Sequence, residues 1–383
     1  MRRTLILLLT IAIAVTGCTG EPAPKPPLRP HWHAVTLPVP PGPAGRLAVR
    51  DAVKCDGRWY VVGGVFTGPG ESRPAAWRSA DGRTWANLKF APRWYWAHRN
   101  VIASVACHDG RIAMLGAKSG GAHGNPRVST WYERPDGVYT DVLAAFSQYG
   151  GDKAVNVARL AAGDTGWMIA GNRMTGAAVW RSSDATEFQR IDSDPELSSD
   201  PTYDTAAIDL TYADGSWTVV GSAQVTGRVA RTPLAWTSPD GARWHRQKVP
   251  YGKDYADLQR VIPYPKGVLA VGIHGQQFGA WRRVGTTWRR LGRFGKLDPD
   301  AAASPFVSGL CIAGKTVVAT ISDGSRYQLW AATDGAHWRR VATPEAPSTA
   351  GEHVMTAVGA GDEMLLLTDD GKTGRAYAAG APR

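Results

Sequence analysis

A chain of 383 residues that is 43% hydrophobic and 20% charged has ample material for a large core, and length alone would divide it into two or three domains. Its formal net charge is +11, which falls to +9 (11 − 2) if Arg2 and Arg3 leave with a leader. That excess would draw it toward anionic lipid or wall polymer. The leader described next would put the chain outside the cytoplasm, so nucleic acid is not expected as its partner. The pairs Arg282-Arg283, Arg289-Arg290 and Arg339-Arg340 read as solvated arginines on outer strands.

Residues 1–18 read as a targeting segment. Arg2-Arg3 is a short basic start, and residues 5–15 are an apolar run of eleven, too short to cross a bilayer as a stable helix. Val15-Thr16-Gly17-Cys18 resembles a bacterial lipobox, in which a Cys after a small residue is diacylated and becomes the mature N-terminus. The resemblance implies lipidation of Cys18 and an anchor in the outer leaflet of the cell membrane. Residues 19–30 are Pro-rich, an extended spacer of roughly 35 to 40 Å at about 3.1 Å per residue. Residues 31–383 are the folded part.

That part repeats one figure. Trp77…Asp81-Gly82…Trp85 returns as Trp236…Asp240-Gly241…Trp244 and Trp330…Asp334-Gly335…Trp338. Altered copies are Trp131…Asp136-Gly137…Tyr139, Trp180…Asp184…Phe188 and Trp281…Gly285…Trp288. Asp-Gly favours tight turns because Gly takes positive φ freely, and flanking aromatics favour strands. The first-arm positions 77, 131, 180, 236, 281 and 330 are separated by 54, 49, 56, 45 and 49 residues. Such periods, with several short strands per unit, predict propeller blades.

Blade one is predicted over 47–55, 58–66, 75–79 and 84–90. Near-continuous apolar second strands follow at 111–116, 166–171, 215–221, 267–272, 314–319 and 361–367. A further step from Trp330 lands on Tyr377, whose second arm is missing. His31-Trp32-His33-Ala34-Val35 supplies it from the other end, so the N-terminal strand closes the last blade. The expectation is an all-β, seven-bladed β-propeller acting as a monomer. Short Gly-rich turns share one face of the disc. Longer links such as 91–100, 192–205 and 251–257 share the other, where function is expected.

Cys55 and Cys107 end the first strands of neighbouring blades and point to facing surfaces, so a disulfide is geometrically allowed, as are free thiols. Cys311 is left over, no Cys pair has zinc spacing, and no metal or cofactor site is expected. His31 and His33 share a strand face but are too few ligands for a metal.

The hairpin Ser79-Ala80-Asp81-Gly82-Arg83-Thr84-Trp85 resembles the Asp-box (BNR) repeat of sialidase-like propellers, although that family separates its Asp and Gly by one residue. The resemblance implies the ring as an architecture and a motif that is structural. A sialidase would also need an arginine triad, a Tyr–Glu pair, an acid/base Asp and a Phe-Arg-Ile-Pro string. The nearest string is Arg260-Val261-Ile262-Pro263, in blade five rather than blade one. Composition and lipobox together point to a Gram-positive, high-GC bacterium.

Binding residues are expected in Arg93, Trp94, Tyr95, Trp96, His98 and Arg99, the densest polar-aromatic cluster, because aromatic faces stack on sugars and Arg pairs with carboxylate or phosphate. Tyr203, Asp204, Tyr255, Asp257 and His353 enter later first strands near the funnel. No catalytic residue is assigned. The expected function is non-enzymatic binding of a cell-envelope protein or wall glycan, with a sialidase-like glycan hydrolase as the alternative.

Overall fold

The computed structural model describes residues 25–120 and 126–383. The lipobox and Cys18 lie outside the described residues. The described residues form seven sheets, and each is an antiparallel meander starting at the ring axis. Blade one comprises Arg46–Cys55, Arg58–Gly68, Glu71–Ser79 and Ala86–Asn87. The predicted last strand of that blade divides in two. Lys89–Phe90 leaves blade one and pairs in parallel with Val138–Asp141, giving blade two a fifth strand.

Blade seven is built from both ends of the chain. Val354–Ala360, Glu363–Asp369 and Gly374–Gly380 are completed by His33–Val35, in the register His33↔Ala378, Ala34↔Tyr377 and Val35↔Ala376. The closing strand sits where the missing arm predicted it. The Pro-rich segment before it is partly docked: Leu28 donates its N–H to the Arg340 carbonyl at 2.8 Å and accepts from Ala342 at 2.8 Å.

The apolar pattern follows from having a neighbour on both sides. Gly166–Arg173, Gly267–His274 and Thr316–Ser322 are buried along their whole lengths. Seven separate hydrophobic clusters fill the seven gaps between adjacent blades, and the cluster carrying Val49, Trp77, Leu365 and Leu367 joins blade seven to blade one. The third-strand Trp recurs in six of these sheets because one ring both fills a gap and donates a hydrogen bond. Its indole N–H reaches the carbonyl of Pro38, Gln148, Glu196 or Pro250 in the cases of Trp77, Trp180, Trp236 and Trp281, at 2.7 to 2.8 Å.

The Asp-Gly dipeptide makes two different turns. Between first and second strands both residues have positive φ, as in Asp56 (47°) and Gly57 (72°). Between third and fourth strands only Gly does, and the Asp carboxylate instead accepts backbone N–H groups: Asp240 takes those of Ala242 (2.9 Å) and Arg243 (3.0 Å). Those oxygens hold the turn in place of positive φ at Asp.

Cys55 and Cys107 are joined, S–S 2.03 Å, across the gap between blades one and two. Cys311 is buried and free.

Candidate functional site

The inner strands carry a repeated irregularity that lines the axis. A β-bulge interrupts the pairing between Val49 and Asp51, Ile102 and Ser104, Val157 and Arg159, Ala207 and Asp209, and Val307 and Gly309. Bulges re-aim side chains, and here they turn polar groups toward the next blade. Asp51 accepts the Val105 N–H (3.2 Å), Asp209 that of Val261 (3.0 Å), and Gln259 that of Val307 (2.7 Å). Ser104 and Leu160 are paired likewise.

On the axis these groups form an ionic plug. Arg159 lies between Asp51 (3.5 Å) and Asp209 (3.9 Å), and Arg260 donates to the carbonyls of Ser308 (3.3 Å) and Gln259 (2.6 Å). Burial pushes the Asp209 carboxyl up, against the charges of Arg260 and Arg159. Burial pulls Arg159 down, yet Asp51 and Asp209 outweigh it and hold the guanidinium above its ordinary value. Burial, then the charge of Arg159, lowers Arg260 to about 10. Two carboxyl groups and two guanidiniums thus share the axis. At the closing seam the buried Asp369 carboxylate receives both Arg46 (2.6 Å) and Arg50 (2.7 Å).

The Arg93–Arg99 segment is an anchored platform on the loop face. Asp141, buried in blade two, accepts the N–H of Arg93 (2.5 Å) and of Trp94 (3.2 Å). Asn100, also buried, donates to the Trp96 carbonyl (3.0 Å) and accepts from Trp131 (3.3 Å). Between these pins one turn of 3-10 helix, Ala97–Arg99, buries Ala97 and leaves His98 exposed. Trp94 is half-buried and packs into the gap between blades one and two, while Arg93, Tyr95 and His98 are exposed.

The rings form a ladder with arginines. Arg99 lies over Tyr95 (4.2 Å), Tyr95 meets Trp96 edge-on (5.0 Å), and Arg127 lies over both Trp96 (5.7 Å) and Phe146 (4.6 Å). Arg127 and Phe146 are additions that the sequence did not single out, since they come from other loops. Tyr95 is 58% exposed and Phe146 50%. Leu143, Val155, Met174 and Val229 are exposed on the same face, and Met174 donates its N–H to Lys153 (3.0 Å), beside Val155.

The other expected residues are separately placed, in blades four, five and seven. Tyr203 supports Arg246 (5.3 Å), and Asp204 accepts from Ser199 (3.1 Å). Asp257 is buried and accepts from Tyr255 (3.0 Å), Gln259 (2.8 Å) and the Ile273 N–H (2.8 Å). His353 contacts the Ser348 carbonyl (2.9 Å), and its own carbonyl accepts from Tyr327 (3.0 Å). Tyr255 also lines a groove of about 780 Å³ on blade five, together with Asp254, Gln276, Arg293, Lys296 and Leu297. Beneath it His274 is held below its ordinary value by burial first and then by Arg293, whose Nε donates to its Nδ1 (3.1 Å). Among the described residues no cluster of three or more His, Cys, Asp or Glu is placed to hold a metal ion.

No protein-family model matches the sequence, and no curated protein matches it. Solved structures do match by shape. Pyrococcus horikoshii acylaminoacyl peptidase is similar at a TM-score of 0.51 and 12% identity, over 87% of this chain and 51% of that one. The β-propeller domain of the Trilobed protease from Pyrococcus furiosus is similar at 0.49 and 10%, over 87% and 93%. Trypanosoma rangeli sialidase is similar at 0.46 and 10%, over 91% and 59%. At such identities the likeness is one of fold, and the fold is a seven-bladed β-propeller.

Proposed function

We propose that this chain is a lipid-anchored, extracytoplasmic propeller that binds a protein or a cell-wall glycan through its loop face without acting on it chemically. The observation that carries the reading is the ladder Arg99–Tyr95–Trp96–Arg127–Phe146, rings and guanidiniums stacked on a segment pinned from below by Asp141 and Asn100. A rigid aromatic platform loses little entropy on binding, and its arginines add directional bonds to anionic groups. Among the described residues the large exposed apolar side chains Tyr95, Leu143, Phe146, Val155, Met174 and Val229 come from the links and strand ends of this face, which is where a partner would cover them.

The test is capture from solubilised membranes and from isolated wall, comparing the wild type with Tyr95→Ala/Phe146→Ala. These exposed rings leave the core untouched, unlike Trp94, which packs between blades. Captured protein or glycan should fall about tenfold. Equal capture by both would end the assignment of this face.

A second reading has one observation in its favour. Asp51 and Asp209 are two carboxyl groups that share a single guanidinium, Arg159, on the axis, and glycosidases work with a pair of carboxyl groups. Both are buried and already accept backbone N–H groups of the next blade, which supports a structural role. Release of reducing sugar from wall glycan by the wild type, lost in Asp209→Asn, would transfer the function to hydrolysis.

A further inference from the structure

The surface charge is concentrated where the chain leaves the ring. Residues 25–30, 287–296 and 339–341 hold eight Lys and Arg and no Asp or Glu. They adjoin one another. Phe294 stacks on Trp338 at 4.2 Å, Leu28 pairs with the strand of Arg340, and Arg339 donates to the Pro26 carbonyl at 2.8 Å. The outer strand of blade five, Thr287–Lys296, is ten residues long, whereas the outer strands of blades one, three and six have two or three. It therefore extends this rim. Lys25, Arg29, Arg289, Arg290, Lys296 and Arg340 are exposed, and none forms a salt bridge among the described residues.

From Cys18 to Lys25 is seven residues (25 − 18), which reach at most about 25 Å. A lipid on Cys18 thus holds this rim, and no other part of the disc, close to the headgroups. Short tethering raises the local concentration of the surface that the rim meets, and basic side chains near an anionic bilayer add attraction that fades within a Debye length.

We propose that the basic rim of blades five and six rests on anionic phospholipid, so that the disc stands edge-on to the membrane and its loop face opens sideways. The inference builds on the anchor at Cys18 proposed above. It gives the arginines of the outer strands a role beyond solubility.

The experiment uses the mature chain from residue 18 with Cys18→Ser, which keeps every strand of the ring. Co-flotation is measured with vesicles of phosphatidylcholine alone and with phosphatidylglycerol added, at low and high salt. Binding should require the anionic lipid and weaken with salt. Arg289→Gln/Arg290→Gln/Lys296→Gln should lower it on the order of 100-fold, and the Arg289→Lys/Arg290→Lys form should retain it. The matched control Arg83→Gln/Arg134→Gln/Arg243→Gln, exposed cations elsewhere on the ring, should lower it less than about threefold. Equal losses from both triple variants would overturn the rim, as would binding without anionic lipid. Stronger competition by soluble polyglycerol phosphate than by vesicles at equal phosphate would reassign it to wall polymer. Fatty-acid labelling at Cys18 is scored separately: its absence would remove the anchor while leaving the flotation result to judge the rim.

Discussion

At the scale of single residues, the aspartates of the outer turns link sequence to stability most directly. Backbone N–H groups of Arg243 and Ala242 hold the Asp240 carboxyl well below its ordinary 3.8, those of Thr373 and Lys372 do so for Asp370, and Asp334 is held down first by the His337 ring and then by the His337 N–H. A carboxylate lowered in the fold stabilises above its unfolded value, and that contribution is lost as pH falls through the folded value. Asp209 and Asp257 act with the opposite sign, since burial raises them and ionisation costs stability above 3.8. Asp240→Asn should therefore cost about 1 kcal/mol or less at neutral pH, given solvent screening, and the gap from wild type should shrink below pH 3.8. Urea unfolding of both proteins across pH measures that gap, and a constant difference would refute the account. Cys311 offers a second check. Burial pushes its thiol up to about 12, so it should resist thiol reagents at pH 8 until denaturant is added, in step with loss of tryptophan burial.

At the scale of strands, the spacing of aromatic residues made the blades legible, because each blade needs the same buried indole at the same place. The closing strand was legible for the same reason, as a missing arm at one end and a spare arm at the other. What the spacing could not show were features set by neighbours rather than by period. Lys89–Phe90 crosses to blade two because the outer edge of Val138–Asp141 is open to it. Leu28 docks on blade six through two backbone bonds, so the extended spacer ends earlier than its composition implied. In the candidate site, the segment 93–99 could be read as a dense run, but Arg127 and Phe146 come from distant loops and become partners only in three dimensions. The bulges escaped notice since an extra residue leaves no mark on a period that already varies. The disulfide between blades one and two spans 52 residues, and closing such a loop is worth about 4 kcal/mol in chain entropy. Cys55→Ala/Cys107→Ala should lose about that much in denaturant unfolding, and reduction of the wild type should reproduce the loss. A double variant as stable as the wild type would show that the gap is held by packing alone.

For the whole molecule, the stability of the ring depends on its last joint. Removing residues 25–37 takes away His33–Val35 and the docked Leu28, exposing the strand Gly374–Gly380 along its outer edge. Such a truncated protein should melt at least about 10 °C lower and self-associate, as judged by scanning calorimetry and light scattering. An unaltered melting temperature would mean that the ring seals without its strap. The axis behaves differently, because Arg159 is held between two buried carboxyl groups. Arg159→Met leaves Asp51 and Asp209 facing each other unneutralised and should cost roughly 3 to 5 kcal/mol.

Because the outermost strand of the seventh sheet is drawn from His33–Val35, no fragment that lacks residues 354–380 can be sealed. Asp369 meets Arg46 and Arg50 only after more than three hundred intervening residues have been threaded, and until then a buried-type carboxylate and an apolar sheet face both stand in water. Delivery of the last strands and closure of the ring are thereby coupled. A stalled chain would be a sticky, protease-sensitive arc, and the finished circle would appear all at once when the C-terminus arrives.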